Sequence, residues 1–308
     1  MRMGDDFREA VVYMSDQTHS SVSRGLRVLG FASSQVVVIP SDDHYRLPVE
    51  ALTRRIAVDR TTGRIPFCVV ANAGTTNTGA IDPLEDLADL CRREGLWLHA
   101  DGAFGAAAVF CDRGRELLNG LARVDSMSLD PHKWLFQPYE CGVVMVRNRR
   151  HMRETFHVLP EYLQDLESDT EEVNLYDYGI QLTRSFRALK LWMSLQVFGM
   201  AAFRAAVERG FELAEYAERV LRARPGWEIV TVSRMGVITF RYVPDNIDDI
   251  DDYNRRLVEP MIEDGLALVM STTIKGRTVL RFCTINPRTT EDDICRTIDK
   301  LTYYAEGV

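Results

Sequence analysis

Three short polar segments of the sequence could do chemistry, because each follows an apolar run that is typical of a buried strand. They cover residues 73–76, 99–103 and 130–134. Parallel strands of an open sheet end at one edge, and ligands bind beyond that edge. We therefore expect the three segments to meet in one site.

Lys133 and Asp101 are the residues in these segments with the clearest chemistry. Lys133 stands beside His132 and Trp134, and an amine among apolar and cationic neighbours loses proton affinity and becomes a nucleophile. By itself, Lys133 is better explained as a surface lysine. Asp101 ends an apolar strand and needs a partner once buried, which is either an internal hydrogen bond or ion pair, or a protonated pyridine nitrogen. A lysine for an aldehyde and a carboxylate for a ring nitrogen are together what pyridoxal phosphate requires.

Composition excludes several classes of protein. The chain has 308 residues and a formal net charge of −8, which argues against nucleic-acid binding. The most apolar stretch, 189–206, contains Lys190, Gln196 and Arg204, so we predict a core helix and no membrane span. The first seven residues contain no apolar segment of the kind that a signal peptide has, and the six cysteines lie far apart without CxxC spacing. We expect a reduced, cytoplasmic protein with no disulfide framework and no zinc site.

An acidic run between residues 245 and 252 contains five aspartates and could suggest a calcium loop. The central glycine and the closing glutamate of an EF-hand are both missing. We therefore predict the acidic first turn of a helix and no metal site in the chain.

The first half of the chain alternates short apolar runs with amphipathic segments, which predicts an α/β fold with a mostly parallel sheet and helices on both faces. The predicted strands are 11–14, 36–39, 67–71, 96–100, 126–129 and 142–147. The predicted helices are 20–29, 48–58, 83–94 and 114–121.

The second half predicts a long helix, 185–222, followed by a small α+β domain. Its predicted strands are 227–232, 237–242, 266–270 and 278–285, and its predicted helices are 250–263 and 291–304. We predict a large domain of residues 1–190 and a small C-terminal domain of residues 191–308. The polar connection 158–177 has the length of a functional or mobile loop.

The order of these motifs resembles that of the group II pyridoxal-phosphate-dependent decarboxylases, a family of aromatic-amino-acid, histidine and glutamate decarboxylases. The resemblance covers nearly the whole chain and implies fold type I, the aspartate-aminotransferase-like fold. It also implies pyridoxal 5'-phosphate as cofactor, an amino acid as substrate and a homodimer. The matching segments are 15–21, 72–80, 99–103, 130–134, 184–192 and 280–287.

The resemblance implies that five residues surround the cofactor ring. Lys133 forms a Schiff base with the aldehyde, and Asp101 pairs with the pyridine nitrogen. Ala103 packs on one ring face, His19 stacks on the other, and Thr76 contacts the hydroxyl side. For His19 the alternative is a cap at the start of helix 20–29, which the residue alone would favour.

Other roles that the resemblance implies remain open. His132 lies near the phosphate or the substrate, or else bonds to backbone, and Asp130 bonds near the phosphate. Arg281 is a candidate for the substrate carboxylate, although a strand arginine in an ion pair is the better explanation. Tyr176 is our first choice for the loop tyrosine that protonates the substrate carbon, with Tyr178 as the other choice and a buried anchor as the alternative role.

One element of the family pattern is missing from this sequence. The family has an upstream glycine-rich turn at a helix N-terminus that cradles the cofactor phosphate, and no such turn occurs here. We therefore expect an N-terminally truncated enzyme or a fragment of one, whose large domain is incomplete.

The activity that fits these residues best is the decarboxylation of an L-amino acid to its amine and CO₂. Aromatic amino acids are the substrates that the resemblance suggests. An aldehyde-forming or transaminating relative and an inactive truncated partner subunit remain as alternatives. A cysteine desulfurase is set aside because 158–177 contains no cysteine, and a dinucleotide-binding protein because no GxGxxG follows a strand.

Overall fold

The computed structural model describes residues 4–158, 173–245 and 247–307 of the chain. The predicted connection 158–177 therefore lies mostly outside the described residues, which stop at Val158 and resume at Val173.

A six-stranded sheet forms the larger part of the fold, with the strand order β2-β1-β3-β4-β5-β6. All neighbouring strands run parallel except β5 and β6, which are antiparallel. This confirms the predicted, mostly parallel sheet. The strands are β1 (Ala10–Ser15), β2 (Val36–Ile39), β3 (Ile65–Asn72), β4 (Trp97–Asp101), β5 (Ser126–Leu129) and β6 (Val143–Val146).

Helices cover both faces of this sheet, as the alternating pattern predicts. Along β1, Val11 and Tyr13 pack with α2 and α3, whereas Val12 and Met14 pack on the opposite face beside α1. Successive strand residues point to opposite faces, so a strand buried on both faces is apolar throughout. The helices of this part are α1 (Ser20–Val28), α2 (Val49–Thr61), α3 (Leu84–Glu94), α4 (Asp112–Leu117) and α5 (Arg149–Phe156).

The small domain is built on a four-stranded antiparallel sheet with the order β7-β8-β10-β9. Two-residue turns close both of its hairpins, and all four turn residues have positive φ, as tight hairpins require. The turns are Met235-Gly236 and Lys275-Gly276. The elements are β7 (Trp227–Arg234), β8 (Val237–Tyr242), α7 (Ile250–Arg256), α8 (Val258–Asp264), β9 (Met270–Ile274), β10 (Arg277–Cys283) and α9 (Glu291–Gly307).

A long helix, α6 (Ala188–Arg222), joins the two parts. Phe203 and Val207 pack in the core of the large sheet, whereas Leu213 and Ala217 pack in the core of the small sheet. The helix is interrupted at Gly199, whose φ of 76° and ψ of 159° are not helical. The predicted boundary at residues 190 and 191 falls in the first turn of α6 and stays a prediction.

Two sequence-based elements of the small domain were wrong. The apolar run 266–270 is not a strand, because the strand that pairs with β10 is the more polar Met270–Ile274. The Lys275-Gly276 turn fixes that register, and its glycine was the signal in the sequence, because tight hairpin turns need positive φ angles. The predicted helix 250–263 divides into α7 and α8 beside Pro260, which lacks the N–H that a continuous helix would need.

The acidic run begins a helix, as predicted. Asp249 caps α7 by accepting a hydrogen bond from the backbone N–H of Asp252, and Asp251 and Asp252 lie in the first turn. Within residues 4–158, 173–245 and 247–307, no three acidic, histidine or cysteine side chains are grouped as metal ligands. No helix in that same part of the chain is long and apolar enough to cross a membrane.

The two parts lie in close contact at Gly79, in the loop after β3. A Cβ atom built on Gly79 would lie 2.3 Å from the carbonyl oxygen of Arg234, at the tip of the β7–β8 hairpin. The φ angle of Gly79 is +68°, which side chains rarely tolerate. Glycine is therefore required here both for the backbone angle and for the contact between the domains.

We predict that Gly79→Ala lowers the free energy of unfolding by about 3 kcal/mol, because a strained φ and a backbone overlap add together. The matched control is Gly63→Ala, since Gly63 also has positive φ (+81°) but nothing within 4 Å of the added Cβ. The control should cost only about 1 kcal/mol. Urea unfolding of both variants measures the difference, and equal losses would contradict the close approach at Gly79.

Candidate active site

A cavity of about 200 Å³ lies at the carboxyl-terminal edge of the large sheet. The segments that follow β1, β3, β4 and β5 supply its walls, as expected for a parallel sheet. The lining residues are His19, Ser21, Asn72, Gly74, Thr75, Thr76, Asp101, Ala103, Phe104, Asp130, His132 and Lys133. Seven of the nine residues that the sequence singled out therefore meet here, and Tyr176 and Arg281 do not line the cavity.

Lys133 is held at the end of β5 by an acidic neighbour. Its Nζ lies 3.0 Å from Oδ2 of Asp130, and its backbone N–H donates to the Asp130 carbonyl over 2.9 Å. Nε2 of His132 is 3.8 Å from the same carboxylate oxygen. The Lys133 side chain is 34% exposed, so the amine faces the cavity as half of an ion pair rather than free in solvent.

The residue after Lys133 fixes the backbone of this segment in the core. Trp134 is fully buried and stacks on Phe104, with ring centroids 5.2 Å apart and an interplanar angle of 15°. On its other side Trp134 packs against Phe211 of α6. Because Phe104 lines the cavity, this aromatic stack supports the cavity wall and the Lys133 backbone together.

Asp101 points one carboxylate oxygen at its own strand end. Its Oδ1 accepts hydrogen bonds from the Ala103 N–H and the Ser128 hydroxyl, both over 3.1 Å. Among the described residues no hydrogen bond to Oδ2 is found, and Asp101 lines the cavity. The strand register pairs Asp101 with Asn72 on one side and Ser128 on the other. The carboxylate is thus fixed in position with one oxygen left for a ligand.

Small residues beside Asp101 allow the chain to turn beneath the cavity. A Cβ atom built on Gly102 would lie 2.6 Å from the Ala106 Cβ and 2.9 Å from the Ser128 carbonyl oxygen. Ala103, which follows, lines the cavity with only a methyl group. This wall can therefore be approached closely by a flat ring.

His19 takes the capping role that the sequence left open, and it also lines the cavity, whereas its stacking on a cofactor ring stays a prediction. It is the N-cap of α1, where its Nδ1 accepts a hydrogen bond from the Ser21 backbone N–H, and it also lines the cavity. A backbone N–H can only donate, so Nδ1 is the acceptor and the ring N–H is on Nε2. His132 likewise bonds to backbone, with Nδ1 2.7 Å from the Cys141 carbonyl oxygen, while lining the cavity.

Thr76 and Arg281 are joined at the rim of the cavity. The Arg281 guanidinium on β10 donates a hydrogen bond to the Thr76 carbonyl, and the Thr76 residue lines the cavity. Arg281 has no acidic partner within the described residues, so the ion pair considered from the sequence is not formed there. Its contact is with the backbone of the loop that carries Thr76.

Tyr176 and Tyr178 lie on a short 3₁₀ helix, Leu175–Tyr178, away from the cavity lining. Tyr176 is 40% exposed. Between them, the Asp177 carboxylate is buried and lies 2.9 Å from Nδ1 of His157. This pair ties the chain just before residue 159 to the chain just after residue 172.

The sequence analysis did not identify Asn72 and Asp82, although their hydrogen bonds connect the segments that surround the cavity. Asp82 is 2% exposed and accepts hydrogen bonds from the backbone N–H groups of Leu47 and Asn72 and from the Asn72 side chain. Asn72 Nδ2 is also 3.1 Å from the Ser15 hydroxyl and 3.3 Å from the Thr18 hydroxyl. The signal was an aspartate directly before Pro83, at the start of a helix.

This network joins the loops that follow three strands. Asp82 connects the segment after β2 with the end of β3, and Asn72 extends the connection to the turn before His19. Burial raises the pKa of Asp82 to about 6, although the hydrogen bonds from Asn72 and Leu47 oppose the rise. The ionised carboxylate therefore lowers the stability of the folded chain. Its hydrogen bonds, which position the loops at the cavity, explain why an aspartate stands here.

Comparisons with known proteins agree on one family. The model of the pyridoxal-dependent decarboxylase conserved domain matches residues 6–243. The aromatic-L-amino-acid decarboxylase of Bacillus atrophaeus is 48% identical, over 100% of this chain and 65% of that protein. The phenylacetaldehyde synthase of Arabidopsis thaliana is 32% identical, over 92% of this chain and 58% of that protein.

A solved structure shows the same fold. The crystal structure of Oryza sativa TDC with PLP and tryptamine superimposes with a TM-score of 0.91 at 29% identity, over 98% of this chain and 64% of that one. This confirms fold type I. The chain spans 65% and 58% of the lengths of the two curated relatives named above.

We predict that Asp82 makes the free energy of unfolding fall as pH rises from about 4 to about 7. Its pKa is about 6 in the folded chain against 3.8 when unfolded, so the folded state binds the proton more tightly in that window. Ionisation therefore favours the unfolded state by roughly 2–3 kcal/mol above pH 6.

Urea unfolding of wild type and Asp82→Asn across this pH range measures the effect. The variant should lose this part of the pH dependence and be less stable by about 1–3 kcal/mol at low pH, because its amide meets N–H donors. Asp86→Asn, on the exposed side of α3, is the control and should keep the wild-type slope. An unchanged slope in Asp82→Asn would contradict the assignment.

Proposed function

Because the chain belongs to the pyridoxal-dependent decarboxylase family, we propose that it decarboxylates an L-amino acid to the amine and CO₂ with pyridoxal 5'-phosphate. The observation that carries the proposal is that the Lys133 amine and the Asp101 carboxylate face one cavity from adjacent strand ends. A relative whose match covers the whole of this chain is named an aromatic-L-amino-acid decarboxylase.

The residues at the cavity fit this cofactor. The Asp101 oxygen without a protein partner among the described residues suits a protonated ring nitrogen, and the Lys133 amine suits an aldehyde. Ala103 leaves room on one face of a flat ring for close approach, and His19 stands at the same cavity. When bound, the cofactor supplies an electron sink for the bond that breaks.

We assign Asp130 to Lys133 rather than to the phosphate. Its carboxylate lies 3.0 Å from the Lys133 Nζ, where it holds the amine in the cavity, and it would repel a phosphate group placed beside it. His132 remains available near that end of the cavity, and Thr76 stands at the rim.

The chain's own groups can orient the substrate and return a proton to it. Decarboxylation is favoured over transamination when the carboxylate bond stands perpendicular to the ring plane, which the cavity walls must enforce. His19 lines the cavity and is one group that we propose to return a proton to the substrate carbon after CO₂ leaves. Tyr176 is the second proton donor that we propose, since its side chain is partly exposed on the segment that resumes at residue 173.

An aromatic amino acid is the substrate class that we propose. The support is the 48% identity to an aromatic-L-amino-acid decarboxylase and the solved relative that holds tryptamine. The Phe104 ring on the cavity wall offers a stacking surface.

Aldehyde formation is the second candidate, because a phenylacetaldehyde synthase is also similar to this chain. Both reactions would use the same Lys133 and Asp101. The two differ in the fate of the substrate carbon, which is protonated in one case and, in the other, is oxidised by an external two-electron oxidant such as dioxygen and released as the aldehyde, with the amino group leaving as ammonia. Product analysis for amine against aldehyde separates them.

We propose a homodimer in the cytoplasm as the working state. The outer face of the first half of α6 is apolar and open, with Trp192 58%, Val197 72% and Phe198 67% exposed. Exposed apolar surface of this extent is typical of an interface. The cytoplasmic location is supported by six cysteines that form no disulfide.

Borohydride reduction after addition of pyridoxal phosphate tests the cofactor site. The chain has four lysines, Lys133, Lys190, Lys275 and Lys300, and only Lys133 lines the cavity. We expect an imine absorbance band and a tag on the Lys133 peptide alone. Lys133→Arg should abolish both, whereas Lys275→Arg should change neither, because Lys275 is paired with Asp43 on the surface. A tag spread over all four lysines would refute a specific site.

Conservative tyrosine variants test the proton donor. If the wild-type chain forms the amine, we expect Tyr176→Phe to lower kcat by about 100-fold, which is the usual contribution of a positioned acid. We also expect the variant to raise the share of aldehyde among the products. Tyr178→Phe, two residues away on the same 3₁₀ helix, is the matched control and should change kcat less than threefold or so. The reverse order would move the role to Tyr178.

A further inference from the structure

The loop between β3 and α3, residues 73–81, is a closed turn that carries Thr76 to the cavity rim. The Thr75 N–H donates to the Ala80 carbonyl over 2.9 Å, and the Gly79 N–H donates to the Thr75 carbonyl over 2.9 Å. The Thr75 and Thr78 hydroxyls are 2.8 Å apart. The turn therefore moves as one unit, and whatever holds its outer side also sets Thr76.

The small domain holds that outer side from three of its strands. Arg281 of β10 donates to the Thr76 carbonyl, and the Thr272 hydroxyl of β9 donates to Oδ1 of Asn77 over 3.1 Å. The Arg234 carbonyl at the end of β7 lies against Gly79. Of these contacts, only the one from Arg281 reaches the residue that faces the cavity.

We propose that Arg281 is a positioning residue, which holds the Thr76 backbone and so places the Thr76 side chain against the cofactor, and that it does not bind the substrate carboxylate. The proposal deepens the function argued above and depends on it, because Thr76 can contact the cofactor only if the chain binds one. Its first step, that Arg281 orders the turn, needs only the contacts of the chain itself.

The position of Arg281 suits this role. Arg281 pairs with Thr239 of β8 and with Met270 of β9, so its backbone is fixed on both sides. A guanidinium keeps its charge at every accessible pH and presents donors in a planar fork. A charged donor on a rigid strand is therefore bonded to a carbonyl on a loop, whereas a substrate anchor would need its donors in the cavity lining, where Arg281 is absent.

Hydrogen–deuterium exchange of the cofactor-free chain tests the first step. Arg281→Gln should speed exchange of the Thr75, Gly79 and Ala80 amides by about tenfold, as expected when an opening becomes about 1.4 kcal/mol easier. The amides of β1 should stay unchanged and report on global stability. Arg277→Gln is the matched control, because Arg277 lies on the same strand but pairs with Glu228 at the surface. Arg281→Lys should give an intermediate rate.

A double-mutant cycle on pyridoxal phosphate binding tests the second step. Arg281→Gln should raise the Kd for the cofactor by about tenfold in the wild-type background and by less than twofold in the Thr76→Val background, because the hydroxyl it positions is then gone. The Kd for the product amine should shift as much as that for the amino acid, since no carboxylate contact is lost.

Three results of these experiments would overturn the proposal. Unchanged exchange of the turn in Arg281→Gln overturns the proposal, and so do additive effects in the cycle or a loss confined to carboxylate-bearing ligands. If the wild-type chain binds no pyridoxal phosphate, the proposed function of the isolated chain fails. Hydrogen–deuterium exchange alone then tests whether Arg281 orders the turn. The second step, in which Arg281 places Thr76 against the cofactor, is refuted together with the proposed function.

Discussion

The site depends on the register of four parallel strands, because β1, β3, β4 and β5 end at one edge of the large sheet. Pairing of Asn72 with Asp101 and of Asp101 with Ser128 sets the carboxylate at the same level as its neighbours. A shift of one residue would turn each side chain to the opposite face. The continuous apolar character of the strands resists that shift, since both faces are buried. Lys133 then follows β5 and is anchored by Trp134 in the core.

Buried polar groups at this edge add a second constraint. The Asp82 carboxylate has to be satisfied inside the protein, and its donors come from Leu47 and Asn72. Asn72 in turn contacts the turn that precedes His19. Because an unpaired buried polar group is costly, the loops can move only together. These hydrogen bonds therefore order the loops at the cavity, which do not need a separate hydrophobic core for that purpose.

The small domain contributes to the site through contacts with the loop 73–81 rather than through the cavity lining. The Gly79 contact, the Thr272 hydroxyl and the Arg281 guanidinium all meet this loop. Helix α6 contributes to both cores, so the two parts of the fold are packed as neighbours along one long element. The geometry at Thr76 consequently depends on two sheets that are distant in sequence.

The sequence by itself determined the parallel sheet, the family and seven residues of the cavity, because strand hydrophobicity and short motifs at strand ends are local signals. It misplaced β9, since an apolar run at 266–270 outweighed the turn signal of Lys275-Gly276. Only the tertiary structure decided the contact of Arg281 with Thr76 and the network around Asp82. Those depend on contacts between residues far apart in the chain, up to 205 positions for Arg281 and Thr76, and side-chain spacing carries no information about such contacts.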